Sequence, residues 1–199
     1  MKPQRWRVTR TDRLCETRLF SLTRRRSAHP RLGEADFFVF EAPAWVNIIP
    51  LTADDRVIMV RQFRHGIDGY TLEVPGGMVD PSDRNPRHAA RREMVEETGY
   101  DSRRIIQLGR VHPNPAIQDN YCYSFLAGQA ERVGEPNLDA TEETEVVAVA
   151  LADVARLIAS GRITHSLVIS AFALMELRNG RPPRGRNPQP RQPRSGARP

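Results

Sequence analysis

Alternation of apolar and polar residues marks several short strands along this chain. Residues 5–11 and 17–24 read as strands joined by a turn around Asp12 and Arg13. Phe37, Val39 and Glu41 begin an alternating segment that leads into the β-branched and apolar stretch Trp45–Leu51. After a turn at Asp54-Asp55, the run 57–63 predicts a strand, and so does 70–74, which Pro75 and two glycines bring to an end. Further strands are predicted over 105–111, 121–127 and 145–150, with the turn-rich His112-Pro113-Asn114-Pro115 between the first two.

Helical periodicity appears in three places. Asn85 suits an N-cap and Pro86 the first helical position, and Gly99 suits the stop, so one helix is expected from there through Thr98. Residues 153–160 and 166–177 predict two more, the second strongly apolar. Mixed strands around one central helix, followed by two terminal helices, predict an α/β sandwich rather than a regular βαβ array. After Gly180 the chain turns rich in Pro, Arg and Gly with nothing to bury, which predicts a disordered tail over 180–199.

At 199 residues, 39% hydrophobic and 27% charged, the chain has enough material for one core plus a polar appendage. The net charge of +6 invites a nucleic-acid reading until it is located. Arg181, Arg184, Arg186, Arg191, Arg194 and Arg198 account for all of it, which leaves the remainder formally neutral. Nucleic-acid binding is therefore expected, if at all, only through the tail. A single lysine, Lys2, among 30 basic residues points to a compositional bias toward Arg. No apolar run approaches the roughly 18 residues of a membrane span, and the N-terminus lacks an apolar signal region, so a cytoplasmic protein is expected. Cys15 and Cys122 have no metal-ligand or disulfide spacing, and neither do the five histidines.

The chemistry concentrates in the predicted central helix. Glu93, Glu96 and Glu97 stand at i, i+3 and i+4, on one helical face, where like charges repel unless a cation offsets them. A solvated acidic face is the competing reading. The glycine turn Pro75-Gly76-Gly77 upstream and Gly99 just after the cluster favour a metal site. Hard oxygen ligands of this kind suit Mg²⁺, with Mn²⁺ as the substitute.

The stretch Gly77–Tyr100 resembles the Nudix box, whose pattern is Gly, five residues, Glu, seven residues, then Arg-Glu-U-x-Glu-Glu-x-Gly-U, where U is bulky and apolar. Arg92, Glu93, Met94, Glu96, Glu97, Gly99 and Tyr100 match its second half in full. The first half departs from it. Asp83 stands six positions after Gly77 where the pattern has Glu, and Arg92 follows Gly77 by 15 residues instead of 14. Counting back from Arg92 puts Arg84 in the glutamate slot. In the family that glutamate mainly braces the loop against the box arginine, a role Asp83 can take from its shifted position. Val60–His65 followed by Leu72–Gly77 further resembles the ADP-ribose and nucleoside-diphosphate-sugar pyrophosphatases. The similarity in organisation extends over roughly residues 5–178.

The resemblance implies a Nudix fold: an α/β/α sandwich with a mixed central sheet and N-terminal antiparallel strands. Residues 1–50 would form a strand region and dimerisation arm of a homodimer, 51–179 the hydrolase domain. It implies hydrolysis of the diphosphate of a nucleotide sugar such as ADP-ribose, giving a nucleoside monophosphate and a sugar phosphate. The implied metal ligands are Glu93, Glu96, Glu97 and the carbonyl of Gly76, with Gly77, Asp83, Arg92 and Gly99 in structural roles. A loop glutamate, Glu143 first and Glu142 second, would act as base for the attacking water. Arg61, Arg64 and Glu73 are candidates for contact with diphosphate or sugar, although an arginine on an exposed strand face is the competing reading. Asn114 and Gln118 are candidates for binding base or sugar, and Tyr121 or Tyr123 for stacking on a base. A rival activity is cleavage of dinucleoside polyphosphates, nucleoside triphosphates or capped RNA. A rival of another class is a silent nucleotide sensor, against which the three retained glutamates argue.

Overall fold

The computed structural model describes residues 2–138 and 143–180. The chain opens with a meander of three antiparallel strands, β1 (Arg7–Glu16), β2 (Ser21–His29) and β3 (Gly33–Glu41). The expected turn at Asp12 and Arg13 lies instead in mid-strand. Asp12 pairs with Arg10 at 2.7 Å and across to Arg24 of β2 at 2.9 Å, so charged side chains form a ladder where the pattern suggested a bend. The reversal falls later, where the Thr17 hydroxyl accepts hydrogen bonds from the N–H groups of Leu19 and Phe20.

Next come β4 (Trp45–Leu51), β5 (Arg56–Arg64), β6 (Gly69–Glu73) and the short β7 (Gly76–Met78). Helix α1 (Pro86–Thr98) follows, then β8 (Tyr100–Asp101), β9 (Arg104–Val111), β10 (Cys122–Gly128) and β11 (Glu131–Arg132). The described chain ends with β12 (Thr144–Ala150), a 3-10 turn, α2 (Val154–Ala159) and α3 (Ser166–Arg178). The central sheet runs β12-β5-β4-β10-β9, with β6 on β5 and β7 on β4. β10 pairs with β4 in parallel while its pairing with β9 is antiparallel, so the sheet is mixed. Although a boundary at residue 50 groups β4 with the N-terminal strands, its residues bury on both faces in the middle of this sheet.

Two apolar clusters cover the two faces of that sheet. Val46, Ile48, Phe125 and Ala127 meet Ala89, Ala90 and Met94 of α1 on one side. Ile49, Val57 and Met59 meet Leu157, Val168, Ala171, Phe172 and Met175 of α2 and α3 on the other. The result is the expected α/β/α sandwich, in which burial of each large side chain contributes about 1.5–3 kcal/mol. Met94, fully buried, anchors α1 and with it the acidic face of the helix. Among the described residues no helix is long and apolar enough to cross a membrane. The Arg-rich tail, 181–199, lies outside the described residues.

Candidate active site

Local chemistry sets both ends of α1. The Asn85 side chain accepts from the N–H of His88 at 3.0 Å, which satisfies an orphan donor at the helix start. At the other end Gly99 adopts φ 70° and donates its N–H to the carbonyl of Val95 at 2.9 Å. Glycine is required there twice over, because a Cβ would also lie 2.3 Å from the carbonyl oxygen of Gly134.

Between these ends, Glu93 and Glu97 face the strap that β7 lays across β4. The N–H of Gly76 donates to Glu97 Oε2 at 2.9 Å, and Glu97 is only 5% exposed. A Cβ at Gly76 would lie 2.2 Å from the carbonyl oxygen of Val46, and one at Gly77 would lie 2.3 Å from Glu93 Oε1. The two glycines therefore let the backbone approach both the sheet and the carboxylates more closely than any other residue could. Glu96, one turn before Gly99, is the most exposed of the three.

Arg92 ties this face to the loop before the helix. Its Nη1 lies 3.0 Å from Glu93 Oε1 and 2.9 Å from Glu96 Oε2, while Nη2 reaches Asp83 Oδ2 at 3.0 Å and the carbonyl of Met78 at 3.2 Å. Asp83 is thus where the box arginine meets the loop, and Arg84 is exposed. Burial pushes the Asp83 carboxyl up, but hydrogen bonds from Arg92 and His88 outweigh it and pull it down to about 2. Burial likewise opposes charge on Arg92, and Asp83, Glu93 and Glu96 more than restore it. An open groove of about 350 Å³ runs along this side of α1, lined by His88, Arg91, Arg92, Val95, Glu96 and Asp101.

Other candidates from the sequence fall into pairs. Arg64 grips the buried Glu73 with two hydrogen bonds of 2.8 Å, the Thr71 hydroxyl donates to the same carboxylate, and His165 Nε2 stands 3.8 Å away. Burial pushes the Glu73 carboxyl up, but Arg64 foremost, with Thr71 and His165, holds it below its ordinary value. Arg61 lies 3.3 Å from Glu145 and 4.8 Å from the Tyr70 ring centroid. Asn114 is exposed, and its carbonyl accepts from the N–H groups of Ile117 and Gln118, so it builds the turn. Gln118 bridges to Phe40 of β3. Tyr121 carries His112 at 4.1 Å between ring centroids and the Arg110 guanidinium at 4.2 Å. Glu143 is exposed just before β12, and Glu142 lies outside the described residues.

Three residues that the sequence reading passed over take part in this architecture. His88 reaches Asp83 at 2.8 Å, Asn120 donates to the Pro43 carbonyl at 3.0 Å to anchor the end of the 112–120 loop, and Thr71 supports Glu73. Only His88 had a signal in the sequence: it stands at i, i+4 with Arg92 on the same helical face.

The donor set fits a hard divalent cation. Glu93, Glu96 and Glu97 supply carboxylate oxygens on one helical face, beside a backbone strap with room for no side chain. Among the described residues no three His, Cys, Asp or Glu side chains close up as a cage. That is compatible with Mg²⁺, which keeps several waters and takes further ligands from substrate phosphates.

Residues 42–172 match the NUDIX domain family, and the chain belongs to that family. It is 28% identical over 141 residues to an ADP-ribose pyrophosphatase of Bacillus subtilis (strain 168), a match covering 70% of this chain and 76% of that one. It is 33% identical over 141 residues to a CMP-5'-(N-acetyl-N-hydroxy-3-aminopropyl)phosphonate hydrolase of Streptomyces rubellomurinus (strain ATCC 31215), covering 70% of this chain and 68% of that one. In fold it resembles the crystal structure of an ADP compounds hydrolase with a TM-score of 0.78 and 21% identity, over 90% of this chain and 97% of that one. The chain is a Nudix hydrolase of the ADP-ribose pyrophosphatase-like kind.

Proposed function

We propose that this protein hydrolyses the diphosphate bond of a nucleoside diphosphate linked to a sugar, with ADP-ribose or another nucleotide sugar as substrate and Mg²⁺ as cofactor. The observation that carries the reading is the seating of Glu93 and Glu97 against Gly77 and Gly76, which fixes oxygen donors at the end of a backbone strap. The names of the relatives support it: one acts on ADP-ribose, another on a CMP-linked phosphonate.

Glu93, Glu96, Glu97 and the Gly76 carbonyl would hold the cation. When bound, the ion offsets charge on the diphosphate oxygens and helps to orient water. Glu143, or Glu142 beside it, takes a proton from the attacking water. The water oxygen bonds to one phosphorus, the bond from that phosphorus to the bridging oxygen breaks, and the bridging oxygen leaves with the other phosphate. A nucleoside monophosphate and a sugar phosphate result. Arg61, half exposed, would contact the substrate phosphates, and the Arg64–Glu73 pair would bound the sugar side. Asn114 and Gln118 line the base side.

The N-terminal meander supports a homodimer as the working form. β1 is exposed along nearly its whole length, and Val8, Leu14, Leu32, Phe37 and Phe38 expose apolar surface on this meander.

A panel of nucleotide sugars, dinucleotides, triphosphates and capped RNA tests the proposal, with Mg²⁺ and with Mn²⁺, products resolved by mass and label followed from ¹⁸O-water. Nucleoside monophosphate plus sugar phosphate, with one labelled product, is expected. Turnover of triphosphates or capped RNA alone would move the substrate class. Silence across the panel would leave a nucleotide sensor.

A further inference from the structure

Asp83 is one methylene shorter than the glutamate of the family pattern and stands in a loop one residue longer, yet its carboxylate is only 1% exposed. Each oxygen therefore needs donors from within the protein. Oδ2 has two, Arg92 Nη2 at 3.0 Å and the N–H of Asp80 at 2.9 Å. Oδ1 has the Arg92 Nε only at 3.4 Å, too long for a good bond, and relies on His88 Nδ1 at 2.8 Å. Since an ionised carboxylate only accepts, the His88 Nδ1 carries the hydrogen.

His88 is itself fixed for this task. Its backbone N–H donates to both the carbonyl and the side-chain oxygen of the helix cap Asn85, each at 3.0 Å. Its side chain is 51% exposed, so the ring fills no core space. One turn later Arg92 closes on the same carboxylate from the same helical face, and its other nitrogen holds Glu93 and Glu96.

We propose that His88 is a positioning residue that compensates for the long loop and short acid: with Arg92 it clamps Asp83 between two helical turns, and so keeps Arg92 aligned on the cation-holding glutamates. This rests on the reading of Glu93, Glu96 and Glu97 as metal ligands. Hydrogen-bonded supports of this kind typically change metal affinity by tenfold or more when removed.

The test compares the full chain with His88→Ala, His88→Asn, Asp83→Ala and the double variant His88→Ala/Asp83→Ala. Asn keeps an N–H near the position of Nδ1. The readouts are amide exchange at Asp80 and Asp83, calorimetric titration with Mn²⁺ alone, and kcat and KM on whichever substrate the panel yields. His88→Ala should speed exchange and weaken Mn²⁺ binding by about tenfold, and lower kcat with KM changed less than about twofold. Asn should recover most of each loss, and His88→Ala should add nothing once Asp83 is Ala. The proposal is overturned if His88→Ala leaves exchange and Mn²⁺ affinity unchanged, if Asn fails to recover them, or if His88→Ala acts equally in both backgrounds. An inactive parent would defeat the substrate reading, while exchange and Mn²⁺ binding would still decide the role of His88.

Discussion

Gly77 and Glu93 are in contact through the face where a side chain on Gly77 would sit, since a Cβ there would lie 2.3 Å from Oε1 and 2.6 Å from Cδ of Glu93. The obstacle is the end of a flexible side chain, so Gly77→Ala should fold and displace Glu93. Mn²⁺ affinity should fall at least about tenfold, with Tm within about 3 °C of the parent. Gly76→Ala is the contrasting case, because its Cβ would meet the Val46 carbonyl of the sheet backbone at 2.2 Å. It should cost several kcal/mol of stability, by an overpacking that cannot relax. Calorimetric titration alongside thermal melts separates the two.

Glu97→Gln keeps the size of the side chain and an acceptor for the Gly76 N–H, but removes the charge. Turnover of the best substrate should drop by about a hundredfold or more, with little change in Tm. Unchanged turnover would mean that Glu97 holds no cation.

How far this architecture could be read from the chain depended on how local each cause is. The ends of α1 were legible because Asn85, Pro86 and Gly99 act within one turn of themselves, β5 and β9 because Val and Ile announce strands, and β10 because the aromatic and apolar run around Tyr123 and Phe125 does the same. β1 was misread at Asp12 because its partner Arg24 is set by pairing with β2, which hydrophobic alternation does not reveal. β7 was missed because three residues, two of them glycine, carry no strand signal. In the site, helical spacing alone brought Glu93, Glu96, Glu97 and Arg92 together. The grip of Arg64 on Glu73 depends on the register of β5 against β6, and that of His88 on Asp83 depends on the path of a loop, neither of which spacing encodes.

Acid should expose the Asp83 clamp. With its carboxyl pulled from 3.8 to about 2, Asp83 stabilises the fold fully above the ordinary carboxylate range and loses that effect as pH falls through about 2. The contribution is roughly 1–2 kcal/mol after allowance for solvent screening. In urea titrations Asp83→Asn should differ from the parent by a constant amount from neutrality to about pH 5, and the difference should shrink between about pH 4 and 2.

Arg64→Ala should leave the buried Glu73 carboxylate without its guanidinium partner, with Thr71 and His165 beside it among the described residues. The expected loss is about 2–4 kcal/mol, toward the low end of broken buried pairs because Arg64 is 42% exposed. Glu73→Gln should cost less, since an amide needs no counter-charge. Chemical denaturation of both variants checks the order; equal losses would mean that packing, not charge, sets the cost.

Burial pushes the Cys122 thiol up to about 12, whereas Cys15 is exposed on β1. A chromogenic disulfide reagent should therefore modify one thiol quickly in the native protein and a second only after unfolding. Cys15→Ser should abolish the fast phase.

The loop 112–120 hangs from the N-terminal meander. Phe40 exchanges backbone hydrogen bonds with Ile117 and Asp119 at 2.8 and 3.3 Å, and Arg25 of β2 pairs with Asp119. The match to the family's domain begins at residue 42, just beyond these attachments. The matched domain thus takes the shape of one of its loops from strands that precede it. A change in β2 or β3 would therefore reshape that loop from outside the matched domain, with every box residue left in place.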